Sequence, residues 1–217
     1  LCLAAIGKGS IIYDCAYLGP AGKNPWSLYG KNNDLILNGN LDETAANGIP
    51  KYWRVFNRSK NGKATVSTAN VATGKYALQL YCPVKPDGML SWQYKFQADA
   101  FEGIAPGTEM QLSLKANTHG NPGTVFRFYI EFRKGAKYIG TYIAHNQRIY
   151  VGWQEKTLRF KMPNDVPTGA DIYIQLMTGG TLSVDDVSLK TAKELPIKKV
   201  EVVSGDYCRI ADGMPMS

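Results

Sequence analysis

No stretch of this chain holds an apolar period of 3.6 over a dozen residues, and that absence constrains the fold more than any single motif. Short runs that alternate apolar and polar residues take its place. They fall at about 52–57, 64–68, 76–82, 90–97, 110–116, 125–133, 138–144, 155–161, 172–177 and 182–189. Turn-forming clusters separate them: Asn61-Gly62, Thr73-Gly74, Pro86-Asp87-Gly88, Pro106-Gly107, Gly120-Asn121-Pro122-Gly123 and Pro163-Asn164-Asp165. Many short strands at even spacing bury their apolar faces most readily as two sheets packed together, so the pattern predicts an all-β, two-sheet antiparallel β-sandwich. Its 217 residues suffice for one such domain with a substantial core. We expect an irregular N-terminal extension at 1–34, with Trp26 and Tyr29 packing on the main domain. The sandwich occupies 35–190, opening with a short strand at Leu35-Ile36-Leu37. A C-terminal strand near 197–203 and a tail, or a linker to a further domain, fill 191–217.

Strand parity assigns faces. Phe126, Phe128, Ile130 and Phe132 point one way, and Arg127, Tyr129, Glu131 and Arg133 the other. Ile172, Ile174 and Leu176 go inward and leave Asp171, Tyr173, Gln175 and Met177 outward, while Leu112, Leu114 and Ala116 leave Gln111, Ser113 and Lys115 outward. If these strands share a sheet, its outer surface sets tyrosines among Arg, Glu, Gln and Lys. Such a surface suits a sugar, because pyranose rings offer flat C–H faces to aromatics and hydroxyls to planar polar groups. For any one of these residues, solvation of an exposed sheet is the simpler account. Trp53 and Trp153 read as core. Trp92 shares parity with Tyr94 and Phe96 on the buried side, yet stands near enough to a strand end to reach a cleft.

The run Thr181-Leu182-Ser183-Val184-Asp185-Asp186-Val187-Ser188-Leu189 puts adjacent carboxylates in mid-strand. Either the pair meets solvent at a sheet edge or, since neighbours on a strand face opposite ways, one Asp turns inward and needs a cation or several donors. An early turn, Asn38-Gly39-Asn40-Leu41-Asp42-Glu43, supplies further oxygens, and calcium is the cation such donors suit.

Composition excludes some classes. The net charge of +7 comes from scattered Lys and Arg, not the concentrated stripe that nucleic acid needs, although an acidic polysaccharide is compatible. No apolar run reaches the roughly 20 residues of a membrane span. Cys2, Cys15, Cys82 and Cys208 form no CxxC, and His119 and His145 lie far apart, which argues against zinc. An even cysteine count permits two disulfides, with Cys2–Cys15 and Cys82–Cys208 one of three connectivities. The opening Leu1-Cys2-Leu3-Ala4-Ala5-Ile6-Gly7 is similar to the end of a signal peptide's apolar region.

The ordered set Asn38–Asp42, Pro50-Lys51-Tyr52-Trp53, Gly74-Lys75-Tyr76-Ala77-Leu78, Pro106-Gly107-Thr108, Trp153 to Pro163 and Val184-Asp185-Asp186-Val187-Ser188-Leu189 resembles the jelly-roll carbohydrate-binding modules of families 4, 9, 16 and 22, which have a galactose-binding-domain-like fold. The resemblance covers about 35–190. It implies a jelly roll with a sugar site on the concave sheet, for which parity offers Arg127, Tyr129, Glu131, Tyr173, Gln175 and Trp92. It also implies a structural calcium ion held by Asp42 (where the family usually has Glu), Glu43 as a further donor, and Asp185 or Asp186, with carbonyls near Asn40 and Lys75. The expected function is a non-catalytic polysaccharide-binding module, secreted or at the cell surface, monomeric, with neighbouring domains in a longer chain. The alternatives are an adhesion or structural sandwich without sugar binding, and a jelly-roll hydrolase or lyase using Glu131 with Tyr129 or His145 with Tyr142 as acid/base partners.

Overall fold

The computed structural model describes residues 34–97, 100–101 and 103–192, together with the backbone of 200–202 and 208–210. Most of the N-terminal extension, including Trp26, Tyr29, Cys2 and Cys15, lies outside the described residues. Ten strands build the sandwich: β1 (Trp53–Asn57), β2 (Lys63–Ser67), β3 (Ala77–Cys82), β4 (Leu90–Lys95), β5 (Glu109–Asn117), β6 (Phe126–Lys134), β7 (Lys137–Gln147), β8 (Gln154–Lys161), β9 (Gly169–Leu176) and β10 (Gly180–Thr191). Each corresponds to one of the expected runs. A separate two-stranded ladder pairs β11 (Val200–Val202) with β12 (Cys208–Ile210), within the region where a C-terminal strand is expected.

One sheet has the order β1-β4-β9-β6-β7 and the other β2-β3-β10-β5-β8, with every pair antiparallel. The core between them is the set that parity turns inward, including Phe126, Phe128, Phe132, Ile172, Ile174, Leu112 and Leu114, all fully buried. Phe132 meets Phe101 edge-on and Phe160 at a tilt, contacts that add to simple burial of apolar area.

The structure departs from the sequence reading in four places. First, β5 belongs to the second sheet, so Gln111, Ser113 and Lys115 do not share a face with the tyrosines of β6 and β9. Parity tells which residues face the core, but not which sheet a strand joins.

Second, Leu35-Ile36-Leu37 forms bends and a turn rather than a strand. Asp34 accepts hydrogen bonds from the Ile36 and Leu189 amides and folds the segment across the sandwich end. The Leu37 amide donates to the Tyr94 hydroxyl, and Leu35 and Ile36 plug the core.

Third, Trp92 is only 1% exposed, and its indole N–H donates to the Gln79 carbonyl in the facing sheet. It is a core residue and is withdrawn from the sugar-binding set. Fourth, Cys82 is a buried free thiol on the inner face of β3 rather than half of a disulfide; the side chain of Cys208 lies outside the described residues.

Candidate functional site

The outer face of the β1-β4-β9-β6-β7 sheet carries the candidate site, and its order follows from strand register. One cross-strand row runs Arg54, Gln93, Tyr173, Tyr129, Ile143 across β1, β4, β9, β6 and β7. The next runs Phe56, Ser91, Gln175, Arg127. A third sets Lys95, Asp171, Glu131 and Thr141 side by side. Residues in one row, and two apart on one strand, are close enough to interact.

Tyr129 and Tyr173 stack with centroids 4.9 Å apart and planes inclined by 18°. Ser91 is small, and Phe56 reaches past it to meet Tyr173 edge-on at 6.2 Å. The Arg127 guanidinium lies 5.3 Å from the Tyr129 ring centre, and Arg58 lies 4.9 Å from that of Phe56. The aromatics thus run continuously from β1 to β6, with Phe56 and Tyr173 partly exposed and Tyr129 buried beside them, flanked by guanidinia that the rings' negative faces attract.

Polar groups lock this floor. Arg54 Nε donates to Gln93 Oε1 at 2.7 Å, and Gln93 Nε2 donates onward to the Tyr173 hydroxyl at 2.8 Å. Arg127 Nε donates to Gln175 Oε1 at 2.8 Å. Asp171 is fully buried and forms an ion pair with Arg133, whose guanidinium also faces the Tyr138 ring. Burial pushes the Tyr129 and Tyr173 hydroxyls upward, so both rings stay neutral. Burial also raises the Glu131 carboxyl, with Arg133 and Arg127 opposing the shift.

Five of the six residues expected for sugar binding therefore share this face: Arg127, Tyr129, Glu131, Tyr173 and Gln175. The sequence reading missed Arg54, Phe56 and Arg58, because β1 is too short and too exposed for parity to orient it. Gln93 stands opposite in parity to Trp92, which was the available signal. His145 and Tyr142 are not brought together as an acid/base pair: Tyr142 stacks on Phe160 at 4.8 Å on the inner side, and His145 is exposed.

The residues expected around calcium converge at one end of the second sheet, on the turn 72–75. Asp185 is fully buried; its Oδ2 accepts the Ala72 and Thr73 amides and its Oδ1 the Asp186 amide. Asp42 Oδ1 accepts the Lys75 amide, and its Oδ2 the Asn40 side-chain amide. Asp186 Oδ1 takes the Thr73 hydroxyl, and its Oδ2 takes Lys115 Nζ at 2.7 Å. Glu43 turns away to Lys51.

A β-bulge between Asp185 and Ser188 produces this divergence of the two carboxylates, with Asp186 in the left-handed region at φ 47. The bulge also frees the Val187 amide to donate to Gly39, tying the early turn to the last strand. Burial pushes the Asp185 carboxyl upward, the mark of a charge that its N–H donors only partly compensate. Among the described residues, no three Asp, Glu, His or Cys side chains form a ready metal cluster. Carbonyl donors of the turn would have to complete a calcium shell, which the all-oxygen chemistry of that ion allows.

No family model and no curated protein matches the chain by sequence. Solved structures do match. A family 4 carbohydrate-binding module aligns at 19% identity over 72% of this chain and 99% of its own, with a TM-score of 0.50. The CBM22-1 xylan-binding domain of Paenibacillus barcinonensis Xyn10C aligns at 12% identity over 71% and 92%, also at 0.50. The fold is the jelly roll of those carbohydrate-binding modules.

The same jelly roll recurs in other settings. The enzymatically active domain of tailspike protein 4 from bacteriophage CBA120 aligns at 14% identity over 77% of this chain, with a TM-score of 0.54. The chain spans 22% of that domain's length and 27% of an arabinose-bound α-L-arabinofuranosidase. A Stig cyclase from Fischerella sp. TAU also shares the fold, at a TM-score of 0.51. No helix among the described residues is long and apolar enough to cross a membrane.

Proposed function

We propose that this protein is a non-catalytic polysaccharide-binding module of an exported glycan-degrading or glycan-binding protein, and that its ligand lies across the outer face of the β1-β4-β9-β6-β7 sheet. The observation that carries this reading is the Phe56–Tyr173–Tyr129 aromatic floor, locked from beneath and beside by the Arg54–Gln93 and Arg127–Gln175 pairs. A preorganised floor loses little side-chain entropy on binding, which is what a shallow sugar site needs. The fold likeness to a xylan-binding domain and a family 4 module supports the same conclusion.

Catalysis is the weaker reading. Asp171 is committed to Arg133, which leaves Glu131 as the one carboxyl of the three rows without an ion-pair partner. Affinity electrophoresis against a polysaccharide panel tests the proposal. Retardation that Tyr173→Ala abolishes is the expected result, whereas migration unaffected by every glycan would favour a structural or adhesive role. Release of reducing sugar would establish an enzyme instead.

The proposal includes a structural calcium ion at the turn 72–75, with Asp42 and Asp185 as side-chain donors and carbonyls near Asn40 and Lys75. Asp186 is left out because Lys115 already engages it. The full burial of Asp185, whose cross-strand neighbour Lys115 pairs with Asp186 instead, supports this reading. A melting temperature that EDTA lowers and calcium restores is expected; indifference to both would remove the ion from the account.

A further inference from the structure

The sugar-binding face is basic in a specific way. Arg54, Arg58, Lys95, Arg127 and Arg133 lie on it, against Glu131 and Asp171. The Arg133–Asp171 ion pair cancels one charge of each sign. Arg54, Arg58, Lys95 and Arg127 have no ion-pair partner among the described residues.

Two of these guanidinia are held alike. Arg54 and Gln93 are register partners, as are Arg127 and Gln175, and in each pair the arginine's Nε donates to the glutamine's Oε1. The bond through Nε fixes the guanidinium plane and leaves the two terminal nitrogens with no acceptor among the described residues. That leaves the edge of the arginine that grips an oxyanion with two parallel hydrogen bonds. Both glutamines are buried, so neither clamp swings away freely.

We infer that the ligand is an anionic polysaccharide, a chain of carboxylate-bearing sugars, with Arg54 and Arg127 each receiving an acidic group and the tyrosine floor receiving the ring faces between them. This rests on the proposed function and narrows it to a substrate class. Strands β1 and β6 stand three inter-strand steps apart, about 14 Å at ~4.8 Å each. Each arginine leans one strand inward onto its glutamine, so a sugar chain laid over the Tyr173–Tyr129 pair passes both guanidinia. A cleft of about 330 Å³ at one end of the sheet, lined by Lys95, Arg133, Thr168 and Gly169, continues the basic track.

The opposite sheet supplies an internal control. Arg159 Nε donates to Gln111 Oε1 at 3.0 Å, the same clamp on an exposed surface with no aromatic ring contact among the described residues.

The test compares polygalacturonate, a sulfated polysaccharide (dextran sulfate) and neutral xylan by calorimetry at two salt concentrations, with folding of each variant checked by its melting temperature. The proposal expects polygalacturonate to bind at least tenfold tighter than xylan. Arg54→Lys and Arg127→Lys, which keep the charge but lose the fork, should each weaken that binding about tenfold, while Arg159→Lys leaves it unchanged. Arg54→Lys at the sheet edge keeps the test valid should Arg127→Lys unfold.

Equal binding by both lysine variants and wild type, with dextran sulfate as good as polygalacturonate, would mean diffuse charge attraction and would overturn the inference. Tight binding of xylan alone would overturn it too, yet leave the proposed function standing. Binding of no glycan would sink both.

Discussion

Replacing Asp185 with alanine is the sharpest probe of how the turn 72–75 is held to β10. The carboxylate is fully buried and accepts three backbone N–H groups, from Ala72, Thr73 and Asp186. An orphaned donor costs at least about 1 kcal/mol, and more where water cannot replace the acceptor. Thr73 is exposed, so its amide can rehydrate as the turn opens, which holds each loss near the lower figure. Three such losses give about 3 kcal/mol, or roughly 6–12 °C in melting temperature at 2–4 °C per kcal/mol for a domain of this size. Urea denaturation in the presence of chelator measures this without any metal contribution. Asp185→Asn keeps one acceptor and should lie between wild type and alanine. A loss under ~1 kcal/mol for Asp185→Ala would mean that the turn 72–75 is held by something other than this carboxylate.

Two further perturbations have clear signs. At Gly39 an added Cβ would run into the Val187 carbonyl oxygen, a backbone atom that cannot rotate aside. Gly39→Ala should therefore cost about 1–3 kcal/mol, as overpacking does, measured by thermal melting. Burial raises the Asp34 carboxyl above its ordinary value, against opposing hydrogen bonds from Ser188, Ile36 and Leu189. The folded state then binds its proton more tightly than the unfolded chain, so this group's stabilising contribution is complete below its unfolded pKa and is lost as pH rises through the folded value. Asp34→Asn does not titrate at this position, and its stability deficit relative to wild type should shrink between pH 4 and pH 7 in denaturant midpoints; a gap that widens would refute the assignment.

The core was legible because burial acts on alternate residues: Phe126, Phe128, Ile130 and Phe132 are apolar for the one reason that they all face the opposite sheet. The candidate site was half legible. Arg127, Tyr129 and Glu131 could be placed on one face from β6 alone, and Tyr173 and Gln175 from β9. That the two strands are neighbours was not in their sequence, since chain order separates them by two strands of intervening structure. For the same reason β5 alone does not tell that Gln111, Ser113 and Lys115 belong to the other sheet.

Apolar character misled in two cases. Leu35 and Ile36 look like a strand because they must be buried, but a plug at the sandwich end needs burial as much as a strand does. Trp92 has the size of a sugar platform and the parity of a core residue, and the parity decides.

The bulge in β10 has a consequence for what this strand can spare. Val184 faces inward, Asp185 outward, and Val187 and Leu189 inward again, so Asp186 is the supernumerary residue. Excising it would leave Val187 and Leu189 in phase with the core, and the sheet would close as an unbroken ladder. What would vanish are the Lys115 tether, the Thr73 hydroxyl bond and the left-handed step that presents the Val187 amide to Gly39. The sheet register does not depend on this aspartate, whereas the seam between the turn 38–43 and β10 does. A variant lacking only Asp186 is thus expected to keep its β-sheet signature in circular dichroism while amide exchange accelerates in the turn 38–43.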